Sequence, residues 1–294
     1  MMPAVSVILP TCDRPDLWPR ALASVLRQSW ADLEVVLIDS NRRTPPISSK
    51  PEWAGLLADP RVVLVARPHA PCAAAARNLG LTVARGEWVT YLDDDDEYHP
   101  DKVAAQLALA RETGASLVVC GYTVVLPRRR RSRQISQAEF RGDALLTAAN
   151  WGTPMLFHRR DPRVCFDEVL PAGEDEAFAH TFMERNDVKF VPNCACSLVE
   201  VHPQIEAARV HRGEAVWRAY RATWCIVHRR YSREARRAYL AMGCIVRAQN
   251  GHGSFVHFAR CAITVLRTRG LGAWRLVANA TAHRFGVLSK WAVS

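Results

Sequence analysis

The sequence predicts an α/β protein, a mostly parallel sheet flanked by helices, followed by a helical C-terminal region. Three observations carry that reading. Short β-branched runs alternate with helical patterns through the first half, as they do when parallel strands are joined by covering helices. Four consecutive aspartates, Asp93 to Asp96, close one of the short apolar runs. From about residue 206 the pattern changes to long helical segments rich in Arg, Trp and apolar residues.

The elements follow in order. Residues 5–9 read as a strand, and Pro15 suits the first turn of a helix whose Leu17, Ala21, Leu22, Val25 and Leu26 recur on one face. A second strand is expected over 34–39 and, after a Pro- and Ser-containing loop over 43–51, a third over 62–66. Residues 72–84 form an Ala-rich helical pattern stopped by Gly86, and 88–92 is the strand that delivers the aspartates. His99-Pro-Asp101 opens a helix that buries Val103, Leu107 and Ala110, and 116–126 is strand-like. Open α/β sheets bind ligands outside the carboxyl ends of their strands, so Asp39 and the aspartate run are expected on one rim. The later helices are expected over 213–231, 233–249, 255–268 and 271–283, which divides the chain into residues 1–205 and a helical region 206–294.

Composition narrows the class. With 294 residues, 49% hydrophobic and 23% charged, the chain has an ordinary globular balance and no disordered or fibrous signature. Nine cysteines without a CxxC pair point to reduced thiols rather than disulfides or zinc. The opening residues lack a basic leader and cleavage site, and the apolar stretch 255–266 is interrupted by His257 and Arg260, so any membrane contact is expected to be peripheral. The run Arg128-Arg-Arg-Arg-Ser-Arg133 reads most simply as a solvated loop, with anionic lipid headgroups as the functional alternative. It lacks interleaved aromatics, which disfavours nucleic acid. Trp217, Tyr220, Trp224, Tyr231, Trp274 and Trp291 either pack within the helical region or mark a face for an anionic membrane.

Adjacent aspartates repel one another unless something positive holds them, and a divalent cation bound through oxygen is the usual agent. In a chain of net charge +10, the run therefore reads as a metal site. The surrounding motifs are more specific. Ser6-Val-Ile-Leu-Pro-Thr-Cys-Asp-Arg-Pro15, Glu34-Val-Val-Leu-Ile-Asp39, Ala76-Arg-Asn-Leu-Gly80, Ala84-Arg-Gly-Glu-Trp88, Tyr91-Leu-Asp-Asp-Asp-Asp-Glu97 and Gly173-Glu-Asp175 occur in that order. Together they resemble family 2 glycosyltransferases with the GT-A fold, over roughly residues 4–205.

That resemblance implies an inverting, metal-dependent glycosyltransferase that moves a sugar from a nucleotide-diphosphate donor to an acceptor hydroxyl in cell-surface polysaccharide or glycolipid synthesis. By motif matching, Asp93 and Asp95 form the DxD pair for Mn²⁺ or Mg²⁺, and His202 approaches the metal or phosphate. Thr11, Asp13, Asp39, Arg77 and Asp94 correspond to donor-binding positions, and Asp175 corresponds to the catalytic base. Ser40 departs from the family's usual acidic pair after Asp39, which leaves the donor base open. The implied acceptor is a carbohydrate or lipid-linked precursor, with a small natural product as the alternative. The implied location is the cytoplasm, peripheral at the inner face of the membrane.

Two other readings compete. A nucleotidyltransferase also uses metal-bound aspartates, but it cradles triphosphate with a Gly-rich loop, and Pro10-Thr-Cys-Asp-Arg-Pro15 contains no glycine. An inactive basic binding module would have no need of Asp93, Asp95 and Asp175 together.

Overall fold

The computed structural model describes residues 2–67, 70–126, 129–133, 137–147, 151–170, 172–202, 214–227 and 230–249, with Ala259 and Ile263. Apart from those last two positions, the expected helices over 255–268 and 271–283, with Trp274 and Trp291, lie outside the described residues, as does Arg128. The chain runs β1 (Val5–Thr11), α1 (Trp18–Leu26), β2 (Leu33–Asp39), α2 (Ala54–Leu57), β3 (Val62–Ala66), α3 (Ala73–Val83), β4 (Trp88–Tyr91) and β5 (Glu97–Tyr98). It continues through α4 (Lys102–Thr113), β6 (Leu117–Leu126), β7 (Arg129–Arg133), β8 (Glu139–Arg141), α5 (Ala144–Thr147), β9 (Phe157–Arg159), α6 (Glu174–Arg185), β10 (Phe190–Val201), α7 (Glu214–Val227) and α8 (Arg233–Gln249).

Contacts divide these elements into two units. The first comprises Met1–Arg141, Asn150–Glu168 and Thr181–Gln204, and the second comprises Gly142–Ala149, Val169–His180 and Ile205–Ser294.

The first unit is built on a sheet of order β3-β2-β1-β4-β9-β6-β10-β5, with β7 paired to β6 and β8 to β10. β1 and β2 are buried along their whole length, which is why they read as continuous apolar runs rather than alternating ones. Their parallel register sets Thr11 beside Asp39, and the parallel pairing of β1 with β4 carries the chain through Leu92 to the same end of the sheet. β9 enters antiparallel between β4 and β6, so the sheet is mixed at its centre.

The helices are chosen by what they cover. In α1 the first-turn proline is Pro19, while Pro15 lies upstream in a turn closed by the Leu17 N–H on the Arg14 carbonyl. Trp18 of α1 is buried and meets Trp53 edge-on at 5.0 Å. α3 is rich in alanine because it lies close on the sheet: a Cβ at Gly80 would collide with the Ile8 side chain. That close seat fixes Arg77, three residues earlier, on the buried side of the helix. α4 buries Val103, Leu107 and Ala110 as its pattern requires, together with Lys102 and Gln106. Lys102 Nζ donates to Thr90 Oγ1 at 2.8 Å and Gln106 Oε1 at 2.7 Å and lies 4.0 Å from the Tyr98 ring centre.

The arginine run is not a loop over its described part. Arg129–Arg133 pairs antiparallel with Tyr122–Leu126 of β6. Main-chain pairing to a neighbouring strand outweighs what composition alone suggests.

The second unit is helical in its described parts. α7 and α8 pack closely at Gly243, where a Cβ would come within 2.6 Å of the Tyr220 ring, and the rings of Tyr220 and Tyr239 lie 4.7 Å apart. Ser232 caps α8 by accepting the Ala235 N–H at 3.1 Å, and its own N–H and hydroxyl both donate to Asp143 just before α5. Among the described residues, no helix is long and apolar enough to cross a membrane.

Candidate active site

The aspartate run begins where β4 ends. The Leu92 N–H still donates to the Ile8 carbonyl, and the chain then turns, with the Asp96 N–H bonded to the Asp93 carbonyl at 3.1 Å. Exposure alternates along the segment: Asp93 and Asp95 keep 30% and 16% of their side chains open, while Asp94 is fully enclosed and Asp96 is buried.

Each carboxylate has a partner from another element. Asp94 Oδ2 accepts the Thr11 hydroxyl at 2.7 Å, and its Oδ1 lies 2.5 Å from Arg14 Nη2. Arg14 Nη1 also reaches Asp95 Oδ2 at 3.2 Å. Arg77 Nη2 donates to Asp93 Oδ1 at 2.6 Å, its guanidinium held 5.5 Å from the Phe166 ring centre. Asp96 Oδ1 accepts the His202 N–H at 2.9 Å, which ties the end of β10 to the turn. Arg20 donates to the Asp95 carbonyl at 2.7 Å and pairs with Glu97 at 3.1 Å.

Charge is only partly compensated. Five successive carboxylates, Asp93 to Glu97, face the guanidiniums of Arg14, Arg20 and Arg77. Burial pushes Asp94 up to about 7 despite Arg14 and Thr11. It raises Asp96 as well, with Asp93 the next cause, and Asp95 in the same way. A group whose pKa is raised on folding favours the folded state at low pH, and that contribution is lost as pH rises through the folded value. We therefore expect the urea midpoint of the protein in EDTA to fall between pH 6.5 and 8. A midpoint that rises over that range would show that the buried neutral His158 and His180, whose lowered pKa favours the folded state as pH rises through the free imidazole value, outweigh these carboxylates. The excess of hard oxygen donors, two of them partly open, fits one divalent cation.

His202 joins a second grouping. Its Nε2 lies 3.2 Å from Glu97 Oε1 and 3.8 Å from Glu200 Oε2, and the three potential ligand atoms lie within 4.8 Å of one another. Glu97 and Glu200 are directly opposed across the β5–β10 pair, which brings two like charges together beside the imidazole.

Asp13 and Asp39 organise the adjoining loop. Asp13, at φ 55°, accepts the N–H groups of Arg42, Arg43 and Thr44 on one oxygen. Partial burial works to raise its pKa, but those donors outweigh it and hold the group well below the usual carboxylate range. Asp39 is buried and accepts the N–H groups of Asn41 and Ile47. Ser40 is buried with no hydrogen-bond partner for its hydroxyl among the described residues.

Of the residues singled out from sequence, Thr11, Arg77, Asp93, Asp94, Asp95 and His202 meet in one cluster, with Asp13 and Asp39 beside it in the first unit. Asp175 belongs to the second unit, in the first turn of α6 between Glu174 and Glu176, where its Oδ1 accepts the Glu176 N–H at 2.8 Å. Sequence reasoning missed Arg14, Arg20, Glu97 and Glu200. Arg14 and Glu97 stand inside the motifs that drew attention, and their charge opposite or beside the aspartates was the available signal.

Residues 6–170 match the model of glycosyl transferase family 2. The chain belongs to that family. The family 2 match includes Thr11, Asp39, Arg77 and the whole aspartate run, and it ends before Asp175 and His202. Among curated relatives, the succinoglycan biosynthesis protein ExoO of Rhizobium meliloti is 30% identical over 191 residues, 59% of this chain and 54% of that protein. The Escherichia coli UDP-Glc:alpha-D-GlcNAc-diphosphoundecaprenol beta-1,3-glucosyltransferase WfgD is 26% identical over 41% of this chain and 46% of its own length. The chain thus spans only about half the length of these relatives. The family 2 fold is the GT-A fold: the crystal structure of S. aureus TarS with UDP superposes with a TM-score of 0.66 at 17% identity, covering 96% of this chain and 88% of that one. The mannosyltransferase PcManGT of Pyrobaculum calidifontis, with GDP-Man and Mn²⁺, gives 0.59 at 18% identity, covering 100% and 89%.

Proposed function

We propose that this chain transfers a sugar from a nucleoside-diphosphate donor to an acceptor hydroxyl, with inversion at the anomeric carbon and with the help of Mn²⁺ or Mg²⁺. The observation that carries the reading is the alternation along the aspartate run, which leaves Asp93 and Asp95 partly open at the rim while Asp94 and Asp96 are locked into the protein. Asp93 and Asp95 are the residues that hold the cation, with His202 at the edge of the same cluster. When bound, the cation supplies charge stabilisation to the departing diphosphate.

The chain's own groups do the rest. Arg77, enclosed and already aimed at Asp93, presents a planar cation to phosphate oxygens. Thr11, Asp39 and Asp94 form the nucleotide side of the site, and Asp13 fixes the loop beside it. With Ser40 in place of a second carboxylate, the base is met without that charge. Asp175 accepts the proton of the acceptor hydroxyl as that oxygen attacks.

The donors named with structural neighbours are UDP-GlcNAc and GDP-Man, and the named activity of WfgD is on a diphosphoundecaprenol-linked sugar. These support a growing polysaccharide or lipid-linked acceptor, met by a cytoplasmic protein at the membrane surface. The direct test is a panel of UDP-, GDP- and dTDP-sugars scored for thermal stabilisation and slow hydrolysis, with Mn²⁺ or with EDTA. One donor class should bind and release its nucleoside diphosphate only with the metal present. Failure of every sugar nucleotide, or hydrolysis indifferent to EDTA, would count against the reading.

A further inference from the structure

Three guanidiniums meet the aspartate cluster, and they are held differently. Arg77 is enclosed, with 5% of its side chain exposed, and is packed by Phe166. Arg20 is tied to a main-chain carbonyl and to Glu97, outside the four aspartates' carboxylates. Arg14 differs from both. It lies on the turn after β1, 41% of its side chain is exposed, and its guanidinium bridges the enclosed Asp94 and the partly open Asp95.

Asp95 is one of the two residues assigned to the cation under the proposed function, so Arg14 and a divalent cation compete for the same carboxylate. A dication placed on Asp95 and a guanidinium on the same group repel strongly in a site largely shielded from water. The half-exposed Arg14 can yield: 41% of its side chain is open and, among the described residues, no aromatic ring lies over its guanidinium as Phe166 lies over that of Arg77. A guanidinium released beside a nucleoside diphosphate finds paired phosphate oxygens that suit its geometry.

We infer that Arg14 is an exchangeable counter-ion and a positioning residue: it bridges Asp94 and Asp95 in the metal-free site and passes to the donor's diphosphate when a divalent cation takes over Asp95, leaving Asp94 to the Thr11 hydroxyl. This rests on the metal reading of the site. It makes cation and nucleotide bind cooperatively, since each stabilises the arrangement the other needs.

The test is Mn²⁺ binding, followed by electron paramagnetic resonance at pH 8 so that the carboxylates are ionised, with MnCl₂ alone and with saturating UDP or GDP. In the wild-type protein the nucleotide should tighten Mn²⁺ binding about tenfold. Arg14→Gln should bind Mn²⁺ alone about tenfold more tightly than wild type and lose most of the nucleotide enhancement, with Arg14→Lys between the two. Arg20→Gln, which removes the same charge without freeing an aspartate carboxylate, should tighten Mn²⁺ binding clearly less than Arg14→Gln. An Arg14→Gln protein with a wild-type unfolding midpoint and wild-type Mn²⁺ affinity overturns the role of Arg14. So does an Arg20→Gln protein that reproduces its effect. Wild-type protein that binds no Mn²⁺ in either condition removes the metal reading, and this inference with it.

Discussion

Asp95→Asn is expected to lower sugar transfer by about a thousandfold while leaving the protein at least as stable as wild type in metal-free buffer. The loss follows from position: Asp95 is a partly open carboxylate in the run, and the amide that replaces it keeps the shape but loses the charge a hard cation requires. The stability follows from the sign of the pKa shift. Burial and the neighbouring Asp93 raise the Asp95 pKa, so its charged form weakens the folded state near neutral pH, and a neutral amide relieves that strain. Paired measurements of turnover with a saturating donor and of the unfolding midpoint in EDTA check both halves. A variant less stable than wild type in EDTA would overturn the stability half, and a folded variant that turns over at the wild-type rate would remove Asp95 from the mechanism. The opposed signs mark a group retained for chemistry against the interest of the fold.

The sequence made this rim legible because its constraints are local. Largely apolar runs force β1 and β2 inside, their parallel pairing sets Thr11 beside Asp39, and the aspartates follow a buried strand that has only one direction in which to emerge. What stayed hidden depends on partners distant in the chain. β10 is broken by register shifts around Ser197, which blur the two-residue alternation that marks a strand, and β9 is only three residues long. Lys102 and Gln106 look like the wet face of a helix, yet they are buried because Thr90, Gln106 and the Tyr98 ring receive the ammonium, with no carboxylate on it among the described residues. The pairing of Arg14 with Asp94, eighty residues on, is likewise invisible until β1 and β4 are set side by side. Helical periodicity did predict the course of α8 from residue 233 to 249, since one apolar face is enough to define a helix.

Asp175→Asn separates the two roles open to an acid at a helix start. If Asp175 serves only the first turn of α6, where acidic side chains offset the helix dipole, the amide costs about 0.3–1 kcal/mol of stability and activity survives. If it is the base, turnover falls by about 10²–10⁴-fold while the dissociation constants of donor and Mn²⁺ stay at their wild-type values, because proton removal from the acceptor contributes only as that oxygen attacks. The diagnostic is the split: kcat falls, donor binding does not. Glu174→Gln and Glu176→Gln serve as neighbours of the same charge on the same turn. Both are expected to retain most activity, Glu176 because it lies beside the Tyr239 hydroxyl of α8, whose pKa burial and then this carboxylate push well up. Loss of turnover in Glu174→Gln or Glu176→Gln, with Asp175→Asn active, would move the base by one residue and keep the mechanism. Full activity in all three would place the acceptor's base elsewhere in the chain.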